Sequence, residues 1–533
     1  MKLPLPVSYA WPTCLNFSNQ CASEGSGMAV QQQFSKVLDT DHLHADLKGR
    51  SVRGGLVTLT SQGAQFLMQS VATIVLARLL TPADFGIVAM VTAITGLASA
   101  FSDFGLSEAT IQRKDITHQQ VSTLFWINVA IGLGLTLVTA TLAPVLARFY
   151  REPRLIGITL VLSLTFFVGG LRVQPNALLK RQMRFSALAF RDVASYALAV
   201  PVAVTMAWQG AGYWALVALP LTLNFVQMAV SWMMVRWKPG LPRRDAQVGS
   251  MIAFGGNVSA SYLIFNLNRS FDSVLIGWYW GAAPLGLYSR AYNLLMLPVR
   301  QLSTPAGNVA IPAFSRLQDD PERFARYYLR AMGLIIWITA PIFGFLFVAA
   351  KPVIALVLGA KWGEAAPVFR ILVISALGQL LLDSNVWLLV SRGQSGRLLK
   401  LLLRISPVIV CSFAIGLPFG IKGVALSGSL VLVAILPWIL KFTFRGTHLT
   451  LKRLGRALLY PVSLCLLSVS IADLALHLIA PERVLSQLLV VALGFAAAYS
   501  LSVFIPSVRE ELLSFRDLLG AFGLSSQTAG PTA

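Results

Sequence analysis

The chain has 533 residues, of which 56% are hydrophobic and only 12% are charged. This composition lies far outside that of soluble globular proteins and indicates a protein whose helices cross a membrane. The formal net charge of +21 raises the question of a nucleic-acid partner. The four cysteines have no metal-ligand spacing, so neither a metal nor a cofactor is expected.

Fourteen apolar stretches follow one another along the chain. A hydrocarbon core about 30 Å thick requires a helix of roughly 20 apolar residues. The stretches 249–271 and 284–311 carry ionisable residues, and twelve spans are therefore the alternative to fourteen. The predicted spans are 54–77, 85–106, 121–147, 155–177, 186–207, 212–235, 249–271, 284–311, 329–350, 366–390, 398–419, 423–443, 456–479 and 484–505.

Arginine and lysine are distributed unevenly between the loops that join these spans. The loops after even-numbered spans contain 22 of them when five at the adjoining span ends are included, and the loops after odd-numbered spans contain nine when one such residue is included. Because short cytoplasmic loops are enriched in Lys and Arg, both termini are predicted to lie in the cytoplasm. Topology and attraction to anionic lipid headgroups explain the net charge, so nucleic acid is not expected as a partner.

A weak internal repeat has a spacing of 200 residues. An even number of spans separates the two copies, which predicts a parallel repeat with a pseudo-twofold axis along the membrane normal. The identical pairs are Gly55 and Gly255, Ser61 and Ser261, Leu67 and Leu267, Ser70 and Ser270, Ala83 and Ala283, Gly86 and Gly286, and Leu97 and Leu297.

The predicted fold is therefore an all-α polytopic membrane protein with two six-helix lobes around a central cavity and two further C-terminal helices. The N-terminal lobe covers residues 48–240, the C-terminal lobe covers 241–447, and the last two spans lie within 448–507. Residues 1–47 and 508–533 are predicted cytoplasmic tails, of which the first is expected to be disordered. Either Met1 or Met28 could be the first residue.

The first and seventh spans each carry polar side chains along one helical face. Spacings of three or four residues place them on one side of each helix. Because the two spans are equivalent in the repeat, both faces are predicted to line the cavity, and hydrogen bonding between packed helices is the alternative. The residues are Thr58, Gln62, Gln65, Gln69 and Thr73 in the first span, and Tyr262, Asn266, Arg269 and Asp272 (or Ser273) in the seventh. The predicted substrate-binding residues on these faces are Gln62, Gln65, Gln69, Asn266, Arg269 and Asp272.

Charged side chains at bilayer depth are costly unless they face protein or water, so each is a candidate for function. Arg269 and Asp272 are three residues apart and can pair, and Arg290 and Arg300 add positive charge to the eighth span. A planar guanidinium binds phosphate oxygens through two hydrogen bonds, which makes an anionic lipid-linked headgroup a suitable substrate. The alternative is that Arg290 and Arg300 extend to opposite membrane interfaces.

Asp103 and Asp383 are isolated acids in or near the predicted spans. Either could bind a proton or Na⁺ and couple transport to an ion gradient. Asp103 lies close to the cytoplasmic end of its span, and a solvated position at a helix end is the alternative for it.

Seven short sequences of the chain match the motifs of one known protein family. Residues 80–86 read LTPADFG, which is similar to the L-x-P-x-[DE]-[FY]-G signature of polysaccharide exporters in the multidrug/oligosaccharidyl-lipid/polysaccharide superfamily. The resemblance extends over roughly residues 48–450. Six further sequences resemble the Wzx subgroup of the colanic-acid type: IQRK at 111–114, LFWIN at 124–128, FYREP at 149–153, LLKRQMRF at 178–185, PAFSRLQ at 312–318 and KW at 361–362.

The resemblance implies a flippase that moves undecaprenyl-diphosphate-linked oligosaccharide across the bacterial inner membrane by alternating access around a cationic cavity. The product would supply exopolysaccharide, capsule or lipopolysaccharide O-antigen. A polymerase and a chain-length regulator of the same pathway would be partners besides membrane lipids. The family has no compact catalytic motif to transfer to these residues, and an enzyme is not expected.

Two alternatives remain open at the level of sequence. A cation-coupled drug or lipid II exporter would share the fold, but the first span has no acid midway along it. A membrane polymerase or ligase acting on lipid-linked sugars would need a long periplasmic loop, and no predicted periplasmic loop is long enough.

Overall fold

The structure, a computed structural model, describes residues 47–99, 101–103, 105–113, 116–235, 237–242, 249 and 270–502. Within these ranges the chain is helical without strands, which confirms the predicted all-α fold. Residues 270–280 are helical. The other α-helices are α1 (Leu47–Leu79), α2 (Pro82–Ser99), α3 (Leu106–Gln112), α4 (His118–Tyr150), α5 (Leu155–Arg181), α6 (Phe185–Trp208), α7 (Tyr213–Val235), α8 (Ala282–Ser315), α9 (Pro321–Val348), α10 (Ala350–Val357), α11 (Ala365–Ser391), α12 (Ser395–Gly416), α13 (Gly420–Thr443), α14 (Leu451–Ile479) and α15 (Val484–Ser502).

Thirteen of the predicted spans coincide with a described helix, whereas most of the seventh, 249–271, lies outside the described residues. In the described part, nine helical stretches are long and apolar enough to cross a membrane, and one of them, Ser395–Thr443, contains both α12 and α13. The count of fourteen therefore stays a prediction. The lobe boundaries also stay predictions, and the predicted tails lie almost entirely outside the described residues.

The helices α1 and α8 are not among those nine stretches, although they have 33 and 34 residues. Polar side chains lower their hydropathy, because α1 carries the glutamine face and α8 carries two arginines. Both helices line the space between the lobes, where a polar surface can meet water. Their composition therefore reflects their position.

The two lobes repeat the same helix packing. In the N-terminal lobe α4 packs on α5, α5 on α7 and α6 on α7, and in the C-terminal lobe α9 packs on α11, α11 on α13 and α12 on α13. The helices α14 and α15 pack on each other and against α9. The predicted pair of lobes with two additional C-terminal helices is confirmed.

The second predicted span, 85–106, ends earlier in the structure. The helix α2 stops at Ser99, and a turn follows in which the backbone N–H of Phe101 donates to the carbonyl of Ala98. Gly105 then takes a left-handed conformation with φ 62°, and the short helix α3 begins at Leu106. Glycine adopts this conformation at little cost, which accounts for the change of direction.

The lobes cross at the N-terminal ends of α2 and α8. A Cβ atom on Gly86 would overlap the carbonyl group of Ala282, and a Cβ atom on Gly286 would overlap the carbonyl group of Pro82. The two contacts are related by the 200-residue spacing of the repeat, so they lie on its pseudo-twofold axis. Only glycine permits so close an approach of the two backbones.

Side chains from both lobes reinforce this crossing. The Arg78 guanidinium donates to the carbonyl of Leu356 at 2.7 Å, and the buried Trp362 indole N–H donates to the carbonyl of Ala77 at 2.9 Å. The Trp362 ring also meets Phe85 edge to face at 5.3 Å. These contacts form the interlobe seal, which consists of Ala77, Arg78, Pro82, Phe85 and Gly86 on one side and Ala282, Gly286, Leu356 and Trp362 on the other.

The LTPADFG sequence builds one half of this seal. The hydroxyl of Thr81 donates to the Asp84 carboxylate at 2.6 Å, and the backbone N–H of Thr81 donates to it at 3.0 Å. These bonds fix the turn before α2, and proline is favoured in the first helical turn, where Pro82 lies. The LTPADFG sequence therefore orients Phe85 and Gly86 toward the opposite lobe.

Candidate functional site

A chamber lies between the lobes and has two compartments. The deep compartment, of about 680 Å³, adjoins the interlobe seal, and the outer compartment, of about 570 Å³, extends to Gly54 and Phe185. Three residues line both compartments, namely Gln69, Tyr196 and Arg300. They form the waist of the chamber. Each compartment falls within the size range of small-molecule sites.

The deep compartment contains Arg290, whose guanidinium carbon lies 4.3 Å from the centre of the Phe85 ring. Its Nε atom is buried and has no hydrogen-bond partner among the described residues. No Asp or Glu belongs to the described lining of this compartment, which includes Thr73, Ser289 and Asn293. The compartment therefore presents a positive charge together with neutral polar groups.

The outer compartment is lined by neutral polar side chains from both lobes. Gln62 and Gln65 on α1 and Gln301 and Asn308 on α8 contribute carboxamides, and Arg300 contributes the charge. Its described lining also contains no Asp or Glu. Since amides both donate and accept hydrogen bonds, this compartment suits a polar, uncharged molecule.

The structure places five of the eight predicted substrate-binding residues in the chamber: Gln62, Gln65, Gln69, Arg290 and Arg300. Ser273, the alternative member of the seventh-span face, lines the deep compartment. Asn266 and Arg269 lie outside the described residues. The binding role of all these residues stays a prediction.

The structure does not place Asp272 in the chamber. Asp272 is 5% exposed and lines a separate pocket of about 160 Å³ inside the C-terminal lobe. The Tyr288 hydroxyl donates to its carboxylate at 2.8 Å, and the backbone N–H of Ser273 donates at 2.6 Å. Helical spacing assigned it to the cavity face, whereas Ser270 and Ser273 are the residues of this helical segment that line the deep compartment.

The two predicted ion-coupling residues lie apart. Asp103, between α2 and α3, accepts a hydrogen bond from the backbone N–H of Ser107 at 3.0 Å and another from its hydroxyl. Asp383 on α11 accepts from the Ser303 hydroxyl on α8 at 2.5 Å and from the Gln379 amide at 3.1 Å. An ion-coupling role for either residue stays a prediction.

Several residues that line the chamber are not among those predicted from the sequence. Tyr196 at the waist belongs to α6, for which no cavity face was predicted. On α8 only the arginines were selected, although Asn293, Gln301 and Asn308 share their face of the helix at spacings of eight and seven residues. That spacing was the signal that could have identified the amides.

A second polar cluster connects the N-terminal lobe to the waist. The mostly buried Arg191 guanidinium donates to the Asp192 carboxylate at 2.6 Å and to the side-chain oxygen of Asn176 at 2.5 Å. Gln227 donates to the same carboxylate at 3.5 Å. Asp192 is one helical turn before Tyr196, so the cluster fixes the helix that carries one waist residue.

Comparisons with known proteins identify the family. The model of the family described as "Polysaccharide biosynthesis protein" matches residues 75–367. Lipopolysaccharide biosynthesis protein WzxC of Escherichia coli (strain K12) is 28% identical over 309 residues, which are 57% of this chain and 62% of that protein. Teichuronic acid biosynthesis protein TuaB of Bacillus subtilis (strain 168) is 26% identical over 303 residues, 56% of this chain and 63% of that protein. The chain thus spans about three fifths of the length of these relatives.

Solved structures share the fold. The lipid II flippase MurJ in an inward closed conformation aligns with a TM-score of 0.68 and 12% identity over 85% of this chain and 99% of that chain. An inward-facing multidrug resistance MATE transporter of the MOP superfamily aligns with a TM-score of 0.52 and 13% identity over 73% and 98%. At these identities the likeness concerns the fold alone. The family match covers more than half of the sequence, and the chain therefore belongs to the polysaccharide biosynthesis protein family.

Proposed function

We propose that this protein is a flippase for a lipid-linked oligosaccharide, which it moves across the inner membrane for the synthesis of a surface polysaccharide. The chamber between the lobes is the observation that carries the proposal. It is polar, it contains Arg290 and Arg300, and it is sealed at one end. The names of the relatives WzxC and TuaB place them in the biosynthesis of lipopolysaccharide and teichuronic acid.

The distribution of loop charges supports an orientation for this transport. The interlobe seal belongs to the predicted periplasmic side, because it follows the first and seventh spans. The outer compartment then opens toward the cytoplasm, where the lipid-linked unit is assembled. The structure corresponds in this proposal to the state that loads the headgroup.

The headgroup would occupy the chamber while the polyprenyl chain stays in the bilayer. The Arg300 guanidinium at the waist is suited to the diphosphate, since it can donate two parallel hydrogen bonds to phosphate oxygens. Opening of the seal and closure of the outer compartment would release the unit on the other side. No covalent bond changes in this process, and a proton or Na⁺ gradient is a suitable energy source for it.

An in-frame deletion in the bacterium that carries this gene tests the proposal. We expect the cells to lose the surface polysaccharide while the lipid-linked repeat unit is still made and accumulates on the cytoplasmic face, where a polymerase and a chain-length regulator cannot use it. Fractionation of lipid extracts and labelling with an impermeant lectin measure the two pools. Cells that never make the lipid-linked unit would contradict the proposal.

A further inference from the structure

We infer that carboxamide side chains on facing helices form a subsite for the oligosaccharide part of the cargo, separate from the arginines that bind its phosphates. The inference rests on the proposed function. The subsite consists of Gln62 and Gln69 on α1 and of Asn293, Gln301 and Asn308 on α8. It is called the amide subsite below.

The amide subsite extends through both compartments of the chamber. Gln62, Gln301 and Asn308 line the outer compartment, Asn293 lines the deep one, and Gln69 lines both. The helices α1 and α8 belong to different lobes, so the amides face the same space from opposite walls. A branched or extended sugar chain could therefore contact both walls at once.

The hydrogen-bonding groups of these five amides are unused within the part of the chain that the structure describes. All five side chains are exposed to the chamber, and no described residue forms a hydrogen bond with their amide groups. Other polar groups on α1 differ in this respect. The Thr58 hydroxyl donates to the carbonyl of Gly54 at 2.7 Å, and the Gln65 amide donates to the Ser61 hydroxyl at 3.0 Å. Gln62 and Gln69 are thus the members of the α1 face whose amides the described residues leave available to a ligand.

The chemistry of the subsite matches sugar hydroxyls. A carboxamide is neutral and offers two donors and an acceptor, and a hydroxyl both donates and accepts. An arginine side chain can only donate hydrogen bonds, and a carboxylate can only accept them. An apolar drug would displace water from the amides without replacing its hydrogen bonds, and a buried unsatisfied polar group is unfavourable. The subsite therefore favours a polyhydroxylated ligand over an apolar one.

The position of Arg300 gives the order of the groups along the chamber. Arg300 precedes Gln301 on α8 and lines both compartments. A diphosphate bound there would hold the first sugar within reach of Gln62 and Gln301. The subsequent sugars would extend along the remaining amides.

Binding to the purified full-length protein in lipid nanodiscs tests the inference. One probe is undecaprenyl diphosphate, which has no sugar, and the other is the lipid-linked oligosaccharide extracted from the deletion cells. In the double variant Gln62→Ala with Asn308→Ala, we expect about tenfold weaker binding of the glycosylated probe, because two hydrogen bonds are lost. Binding of undecaprenyl diphosphate should not change. The variant Arg300→Gln should weaken both probes.

Thr60→Val on the same helix is the matched control, since Thr60 lies outside the described lining of both compartments and its hydroxyl already donates to the carbonyl of Val57 at 3.0 Å. It should bind both probes as the wild type does, and Gln301→Ala provides a second test if the double variant does not fold. Equal weakening of both probes, or of neither, in the amide variants would overturn the subsite. A wild-type protein that binds neither probe would instead overturn the proposed function and the subsite with it.

Discussion

At the scale of single residues, Arg290 has the most unusual environment in the chamber. Its guanidinium lies over Phe85, and its buried Nε atom has no hydrogen-bond partner among the described residues. A desolvated cation–π contact contributes about 2 kcal/mol, whereas removing a charge from water costs several kcal/mol. The ring alone does not offset that cost, and an anionic ligand would complete the site.

Arg290→Gln should therefore reduce export at least about tenfold, because one charge-assisted interaction is worth about 1.5–3 kcal/mol. Arg290→Lys should restore part of the export, since it keeps the charge but not the planar fork. Surface polysaccharide is measured at matched membrane abundance. Arg148→Gln, at an exposed position near the end of α4, controls for loss of one positive charge. Wild-type export by Arg290→Gln would leave Arg290 with a structural role.

At the scale of helices, the crossing of α2 and α8 limits how the lobes can close. The backbones of the two helices are in direct contact there. A side chain introduced at this crossing would therefore meet backbone atoms and not a flexible side chain that could move away. Gly86 and Gly286 each face a carbonyl group from the other lobe. Any added atom has to be accommodated by separation of the two helices.

Gly86→Ala should consequently open the interlobe seal. We expect a cysteine placed at Ala89, which lines the deep compartment, to react faster with an impermeant maleimide added from the side predicted to be periplasmic. Gly96→Ala on the same helix is the matched control, because an added Cβ atom there meets nothing within 4 Å. Unchanged labelling in a folded Gly86→Ala protein would show that the crossing does not hold the seal closed.

The sequence predicted most of the helices and part of the chamber. Apolar length predicted thirteen described helices, and the spacing of Gln62, Gln65 and Gln69 predicted a face that lines the cavity. Asp272 lies in a separate pocket of the C-terminal lobe, because helical spacing groups residues on one face without fixing which side of the helix faces the cavity. The waist residue Tyr196 was missed because its position depends on how α6 packs, which a hydropathy pattern does not contain.

At the scale of the whole molecule, the proposed transport requires the interlobe seal to break and form again. The Trp362 indole N–H bond to Ala77 and the Arg78 bond to Leu356 both link the lobes. Each such bond contributes about 1 kcal/mol to the closed state. When the open and closed conformations differ in free energy by only a few kcal/mol, a change of this size alters their relative populations.

Trp362→Phe should shift the molecule toward the open state about fivefold, since it removes one hydrogen bond and keeps a ring next to Phe85. Spin labels at Gln209 and Phe419, both exposed at this end, can be introduced in a variant without the native cysteines. The population with the longer distance between them should rise. Trp438→Phe, at an exposed ring stacked on Phe442, should leave the distribution unchanged. An identical effect of both substitutions would contradict the role of the Trp362 bond.

The reciprocal contact of Gly86 with Ala282 and of Gly286 with Pro82 has the form of an isologous dimer interface, in which each partner supplies the same patch. Each half of the chain carries one of the glycines and the backbone that the glycine of the other half meets. Two copies of a half-length ancestor could have made this contact before they were joined, and fusion would have preserved it. The two halves would then have diverged, because α2 contains no arginine whereas its equivalent in the repeat, α8, contains two.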